Sequence, residues 1–304
     1  MGTRRSLAAA ALAGLCLTAA CSSSAAAPAP SPARSGPVAT IVPASRAAAS
    51  PTRSAPPAPT PRVSVSRVRT ADGSVVTVAT FGGPVAYVLH NGSGDPGPAA
   101  AGLVRAGPAV GGAERRRLLA AFNGGFKLSA GAGGYEQEGH VISPLRAGLI
   151  SLVIDRSGRA RIGVWGHGLP APGEAVYSVR QNLQPLVKHG RPTPAAADWG
   201  LWGATLGGGE YVARSALGQN ASGELIYAAS ISASPYDLAS ALVRRGARIA
   251  MELDINPEWV QLDIARVPGG RLTAAVPGQN RPADQYLVGW TRDYITVLAP
   301  APAG

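Results

Sequence analysis

The sequence predicts an α+β fold: a mixed, strand-rich sheet core with few helices, in a single domain. Three observations carry that prediction. Between residues 63 and 298, short Val- and Thr-rich runs alternate with turns built from Gly, Asp and Pro. Only one segment carries a full set of helix start and stop signals. After a low-complexity leader, about 240 residues remain, enough to bury one complete core without disulfide staples.

Residues 1–21 read as a lipoprotein-type signal peptide. Arg4 and Arg5 precede the apolar run Leu7 to Leu17, and small residues lead to Cys21. The tetrapeptide Thr18-Ala19-Ala20-Cys21 resembles a bacterial lipobox, with Thr18 where Leu, Val or Ile is usual. That resemblance implies lipidation of Cys21 and an extracytoplasmic protein anchored to the outer face of the cytoplasmic membrane, or secretion if Cys21 is left unmodified. Arg4-Arg5-Ser6-Leu7 is compatible with either the general or the twin-arginine export route. Residues 22–62 are almost wholly Ala, Pro, Ser, Thr and Arg, a composition that predicts a disordered linker because it cannot bury enough apolar surface to offset its ordering entropy.

The formal charge of +11 is inflated by this leader. Six of the 28 basic residues and none of the 17 acids lie in positions 1–62, leaving 22 bases against 17 acids, a net of +5, on the domain at 63–304. That mild balance, without a clustered basic helix, argues against a nucleic-acid partner. The only cysteines are Cys16 and Cys21, so the domain has no disulfide, no thiol catalyst and no cysteine metal site.

Along the domain, Val63 to Val68, Val75 to Phe81 and Val85 to Leu89 read as strands separated by Asp72-Gly73 and Gly82-Gly83-Pro84. Glu114 to Leu119 reads as a short helix running into a strand at Leu119 to Phe122. Leu149 to Asp155 and Ala160 to Trp165 flank a hairpin turn at Arg156 to Arg159. The long stretch Lys127 to Arg146, with Glu136, Glu138 and His140, is expected as a loop, either disordered or a functional lid. The strong helix is Tyr236 to Arg245, with Ser234 as N-cap, Pro235 at the first position, Asp237 in the first turn and Gly246 as the stop. Strand Glu224 to Ser230 precedes it and strand Ala247 to Ile255 follows, a crossover that predicts a parallel pair.

Chemistry concentrates in Ala250 to Trp259, A-M-E-L-D-I-N-P-E-W. In an extended strand Met251, Leu253 and Ile255 face one way while Glu252, Asp254 and Asn256 face the other, about 6.8 Å between successive polar positions. Such a row fits a sugar, a phosphate-bearing substrate or a divalent cation such as calcium; it also fits an ordinary solvated sheet face. Asn123, Gly124 and Gly125 follow a strand and can bring an amide and backbone N–H groups to a ligand, or simply end the strand. Arg214, in a segment of small and apolar residues, suits an anion clamp or a structural salt bridge to Glu252 or Asp254. Trp199, Trp202 and Trp259 suit either sugar stacking or the core.

Together these pieces resemble the phosphodiester glycosidase family, over roughly Val75 to Leu298. Asn123-Gly124-Gly125-Phe126 matches its N-G-G-F turn, Arg214 to Gly218 its R-T-A-I-G segment, and Asp254 the aspartate of its L-D-G-G-G-S segment. The resemblance implies hydrolysis of a sugar-1-phosphodiester in the cell envelope, on a carbohydrate or glycosyl-phosphate substrate and with no cofactor. It places Asp254 as catalyst, with Glu252 as a second carboxylate, and Asn123, Gly124, Gly125, Arg214 and Asn256 as substrate-binding residues. After Asp254 the chain has Ile255-Asn256-Pro257-Glu258 where the family carries glycines and serine, which implies a reshaped phosphate cradle; Pro257 has no N–H to offer. Two further readings stand beside hydrolysis: a non-catalytic glycan-binding or exopolysaccharide-assembly module on the same fold, and a metal-dependent phosphodiesterase using Glu252, Asp254 and Asn256.

Overall fold

Seventeen strands in three sheets and three short α-helices make up residues 60–301, which the computed structural model describes. The expected signal peptide, Cys21 and nearly all of the expected linker lie outside the described residues. Among the described residues no helix is long and apolar enough to cross a membrane.

The first sheet runs β1 (Arg62–Arg69), β2 (Val75–Gly82), β13 (Leu225–Ala233), β12 (Val212–Asn220), β14 (Ala247–Glu252), β10 (Val187–Lys188), β11 (Arg191–Pro192). The second runs β16 (Leu272–Ala274), β15 (Leu262–Ala265), β4 (Leu118–Asn123), β17 (Tyr294–Leu298), β3 (Ala86–His90). The third runs β6 (His140–Ser143), β5 (Tyr135–Gln137), β9 (Ser178–Gln181), β7 (Ile150–Ile154), β8 (Ala160–Val164). The helices are α1 (Gly112–Arg117), α2 (Pro235–Arg244) and α3 (Gln285–Val288). This is the strand-rich α+β, single-domain architecture that the sequence predicts.

The three sheets share one core. Phe81 of β2 stacks on Phe122 of β4 at 5.5 Å, and Tyr227 of β13 lies 5.0 Å from the same ring. Ile150, Leu152 and Ile154 of β7 close the cluster from the third sheet. The other face of the first sheet carries α2, whose Leu238, Ala239, Ala241 and Leu242 pack on Ala216, Ile226 and Ala250. The helix starts on a capping box, the Ser234 hydroxyl accepting from the Asp237 N–H while the Asp237 carboxylate accepts from the Ser234 N–H. Gly218 of β12 leaves room for its neighbours, since a Cβ there would meet the Ala247 Cβ of β14 at 2.9 Å and the Leu242 side chain of α2 at 3.3 Å.

Two sequence expectations are corrected. The strands flanking α2 run in the same direction, as a crossover requires, yet β12 lies between them and pairs antiparallel with both. The stretch 127–146 is not one long loop: Leu128–Ala130 form a single 3-10 turn, and residues 135–143 form the β5–β6 hairpin of the third sheet. Its turn residues Glu138 and Gly139 have φ of 53° and 83°, and the Glu138 carboxylate is tied down by the N–H groups of Arg105 and Ala106. Strands of three and four residues leave too short an alternation to show in sequence.

Candidate functional site

The site forms where the first sheet hands the chain to the second. Past the end of β14, Ser215 of β12 opposes two residues at once: its carbonyl accepts from the Leu253 N–H and its own N–H donates to the Asp254 carbonyl. One residue facing two is a bulge, which re-aims the side chains beyond it. Asp254 then donates its N–H to the Gly124 carbonyl, 3.0 Å away at the end of β4. The Asn123, Arg214 and Asp254 segments therefore meet through their backbones.

Their side chains take unequal parts. Asn123 is buried and saturated: its amide nitrogen donates to the Gly124 carbonyl and the Ser215 hydroxyl, and its oxygen accepts from the Tyr227 hydroxyl and the Gln261 N–H. It is a joint between the two sheets, with no capacity left for a sugar. Gly124 and Gly125 donate their N–H groups to Asp293, at its carbonyl and its carboxylate. A Cβ on Gly124 would lie 2.0 Å from an Asp293 carboxylate oxygen, and one on Gly125 2.9 Å from the Arg180 guanidinium. The glycines admit charged side chains, not a ligand.

Arg214 and Glu252 pair at 2.9 Å, both fully buried. This is the structural salt bridge among the sequence alternatives for Arg214. Burial pushes the Glu252 carboxyl up, and Arg214 beside it pulls it back down. Asp254 faces a different cation, with Oδ2 3.0 Å from an Arg292 nitrogen and Oδ1 accepting the Asn256 N–H at 2.9 Å. Burial raises Asp254 to about 6, with Arg292 opposing and Asp293 adding to the rise. Arg292 also pairs with Asp95 at 3.0 Å, and Arg180 with Asp293 at 2.7 Å. Glu252 and Asp254 thus answer to separate arginines and do not converge as a cation cage. Among the described residues no group of three or more acids or histidines is arranged to hold a metal ion.

What reaches open space is a cleft of about 490 Å³. Asp254 and Asn256 line it, together with Phe126, Lys127 and Trp259; Glu252, Asn123, Gly124, Gly125 and Arg214 do not. Of the three tryptophans offered for stacking, Trp259 stands in the wall, whereas Trp202 is buried in the helix layer. The D-I-N-P-E segment folds as two successive Asx turns, the Asp254 carboxylate accepting from Asn256 N–H and the Asn256 side chain from Glu258 N–H. The N–H groups of Asn256 and Glu258 are consumed within the loop and that of Asp254 by Gly124, so the loop presents no N–H cradle. Sequence reasoning missed Arg292, Asp293, Arg180 and Asp95. An adjacent Arg-Asp pair just before the apolar run Tyr294 to Leu298 was the available signal, since charges at a strand entrance need partners when buried.

Solved structures share this fold. The chain matches the crystal structure of a hypothetical protein from Synechocystis with a TM-score of 0.51 at 13% identity, over 79% of this chain and 62% of that one. It also matches the catalytic domain of zebrafish N-acetylglucosamine-1-phosphodiester alpha-N-acetylglucosaminidase, auto-inhibited by its pro-peptide, with a TM-score of 0.48 at 13% identity, over 82% and 85%. At such identity the likeness is one of fold alone. No protein-family model matches the chain, and no curated protein does.

Proposed function

We propose that the Asp254 cleft hydrolyses the glycosidic bond of a sugar-1-phosphodiester in the bacterial cell envelope, with the chain held at the membrane by a lipid on Cys21. The observation that carries this reading is that Asp254 is the single carboxylate among the lining residues of a cleft walled by Phe126 and Trp259. Ordinary glycosidases need an acid and a base, because an alkoxide leaves poorly. A phosphate leaving group is already acidic, so one base is enough. Water attacks the anomeric carbon and gives its proton to Asp254. The bond from that carbon to the phosphate oxygen breaks with its electron pair, yielding a free sugar and a phosphomonoester. Trp259 and Phe126 offer aromatic faces to the sugar, Asn256 a side-chain amide, and Lys127 a positive charge for the phosphate.

One observation favours a second reading, a glycan-binding module without chemistry: both Asp254 carboxylate oxygens already have partners, Arg292 and the Asn256 N–H. Release of free sugar from a panel of sugar-1-phosphodiesters separates the two. Hydrolysis requires release by the wild type and its loss in Asp254→Asn; binding without release from any substrate supports the module.

A further inference from the structure

A second cleft, of about 620 Å³, lies beside the first and carries only one sign of charge. Arg161, His167, Lys188, His189 and Arg248 line it, and no acid does. Arg161 is paired with Glu174 at 2.8 Å, while the other four have no ion-pair partner among the described residues. All five are exposed. Lys188 and Arg248 are thus unpaired permanent charges of one sign in a concave wall, an arrangement that concentrates anions. Its floor is apolar, formed in part by Leu169 and Ile249.

The two clefts share a divide. Leu183 lines the Asp254 cleft and Pro185 the basic one, so the partition is two residues wide, at most about 7 Å of chain. They also share β14: Arg248 stands near its start and Asp254 just beyond its end, six residues on, about 20 Å at strand rise. We infer that the basic cleft is an exosite for an anionic, phosphate-bearing glycan chain whose end enters the Asp254 cleft. This rests on the hydrolytic reading of Asp254 and names its substrate class as a polymer. The concavity selects a chain over a lipid surface, because a bilayer meets convex ground and its headgroups reach a recess only with an apolar side chain inserted alongside.

Binding decides the matter without turnover. The full-length protein is titrated with long-chain inorganic polyphosphate, with neutral dextran, and with vesicles of equal parts phosphatidylcholine and phosphatidylglycerol. Lys188→Gln/Arg248→Gln is compared with Arg67→Gln/Arg116→Gln, which removes the same charge from exposed positions elsewhere. Polyphosphate affinity is expected to fall about tenfold or more in the first variant and less than about twofold in the second, with no dextran binding and a steep loss in salt. On phosphodiester-linked glycans the first variant raises KM for long chains and leaves kcat on a short sugar-1-phosphodiester unchanged. Equal weakening in both variants, or vesicle binding tighter than polyphosphate binding, overturns the exosite. Absence of sugar release from any substrate defeats the hydrolytic reading instead, and the polyphosphate comparison still stands.

Discussion

Arg214 and Glu252 meet at 2.9 Å at the adjoining ends of β12 and β14, and neither side chain reaches solvent. The pair leaves the Arg214 Nε and one Glu252 oxygen without partners, so it is a poorly satisfied buried ion pair. Removing one member strands the other, whereas removing both replaces two desolvated charges with packing. Arg214→Leu is expected to destabilise by about 3 kcal/mol, the low end for such breaks because Glu252 can take up a proton. Arg214→Leu/Glu252→Leu should recover most of that loss. Urea unfolding at neutral pH measures both, and equal destabilisation by the single and double variants would contradict the pairing argument.

The buried carboxyls set the sign of the pH dependence of stability. Burial raises the Asp263 carboxyl to about 8, above its ordinary value of 3.8, and pushes Glu252 in the same direction against the pull of Arg214. The folded state therefore binds more protons than the unfolded chain between roughly pH 4 and pH 8, and stability falls as pH rises through that window. Asp263 contributes a slope of roughly 1 kcal/mol per pH unit. Asp263 accepts from the Gln279 side chain at 2.8 Å and the Gln261 side chain at 2.5 Å, bonds that oppose the rise, and Asp263→Asn removes the titrating group altogether. That variant should flatten the slope, as read by thermal melts from pH 5 to 8.

The two glycines after β4 predict graded sensitivity. A Cβ on Gly124 collides with the Asp293 carboxylate at 2.0 Å and with the Asp293 carbonyl oxygen at 2.8 Å, the second a backbone atom that cannot step aside. On Gly125 it meets the guanidinium of Arg180 and the Asn182 amide oxygen, which are side-chain atoms. Gly124→Ala should cost about 3 kcal/mol or more and Gly125→Ala about 1–2 kcal/mol, by the usual cost of overpacking. Comparative melting of the two variants tests the order, and a smaller loss in Gly124→Ala would show that Asp293 is free to move.

Local signals made the elements around the site legible. Ser234, Pro235, Asp237 and Gly246 mark both ends of α2 because capping is a contact within a few residues. The three motif segments do converge through hydrogen bonds among Asn123, Ser215 and Asp254. The division of labour within them was not legible. Period-two alternation put Glu252 and Asp254 on one face, but the bulge opposite Ser215 intervenes and each acid finds its own arginine. Arg292 reaches Asp254 from 38 residues downstream, and nothing local to either position announces that contact.

Asp254 gives the most direct kinetic prediction. The proposed role as base requires Asp254 to be ionised, and burial raises its carboxyl to about 6. The value of kcat/KM should therefore rise about tenfold per pH unit up to about pH 6 and level off above it. Asp254→Asn should lower kcat by about 100-fold to 10,000-fold, the usual range for a lost general base, and should abolish that limb. The Arg292 guanidinium is the group that opposes the rise. Arg292→Gln keeps a polar side chain beside Asp254 but removes the positive charge, so the limb should move to higher pH, with folding checked by circular dichroism. A limb that stays near pH 6 in Arg292→Gln, or that survives in Asp254→Asn, would assign the titration to another group and take the base role from Asp254.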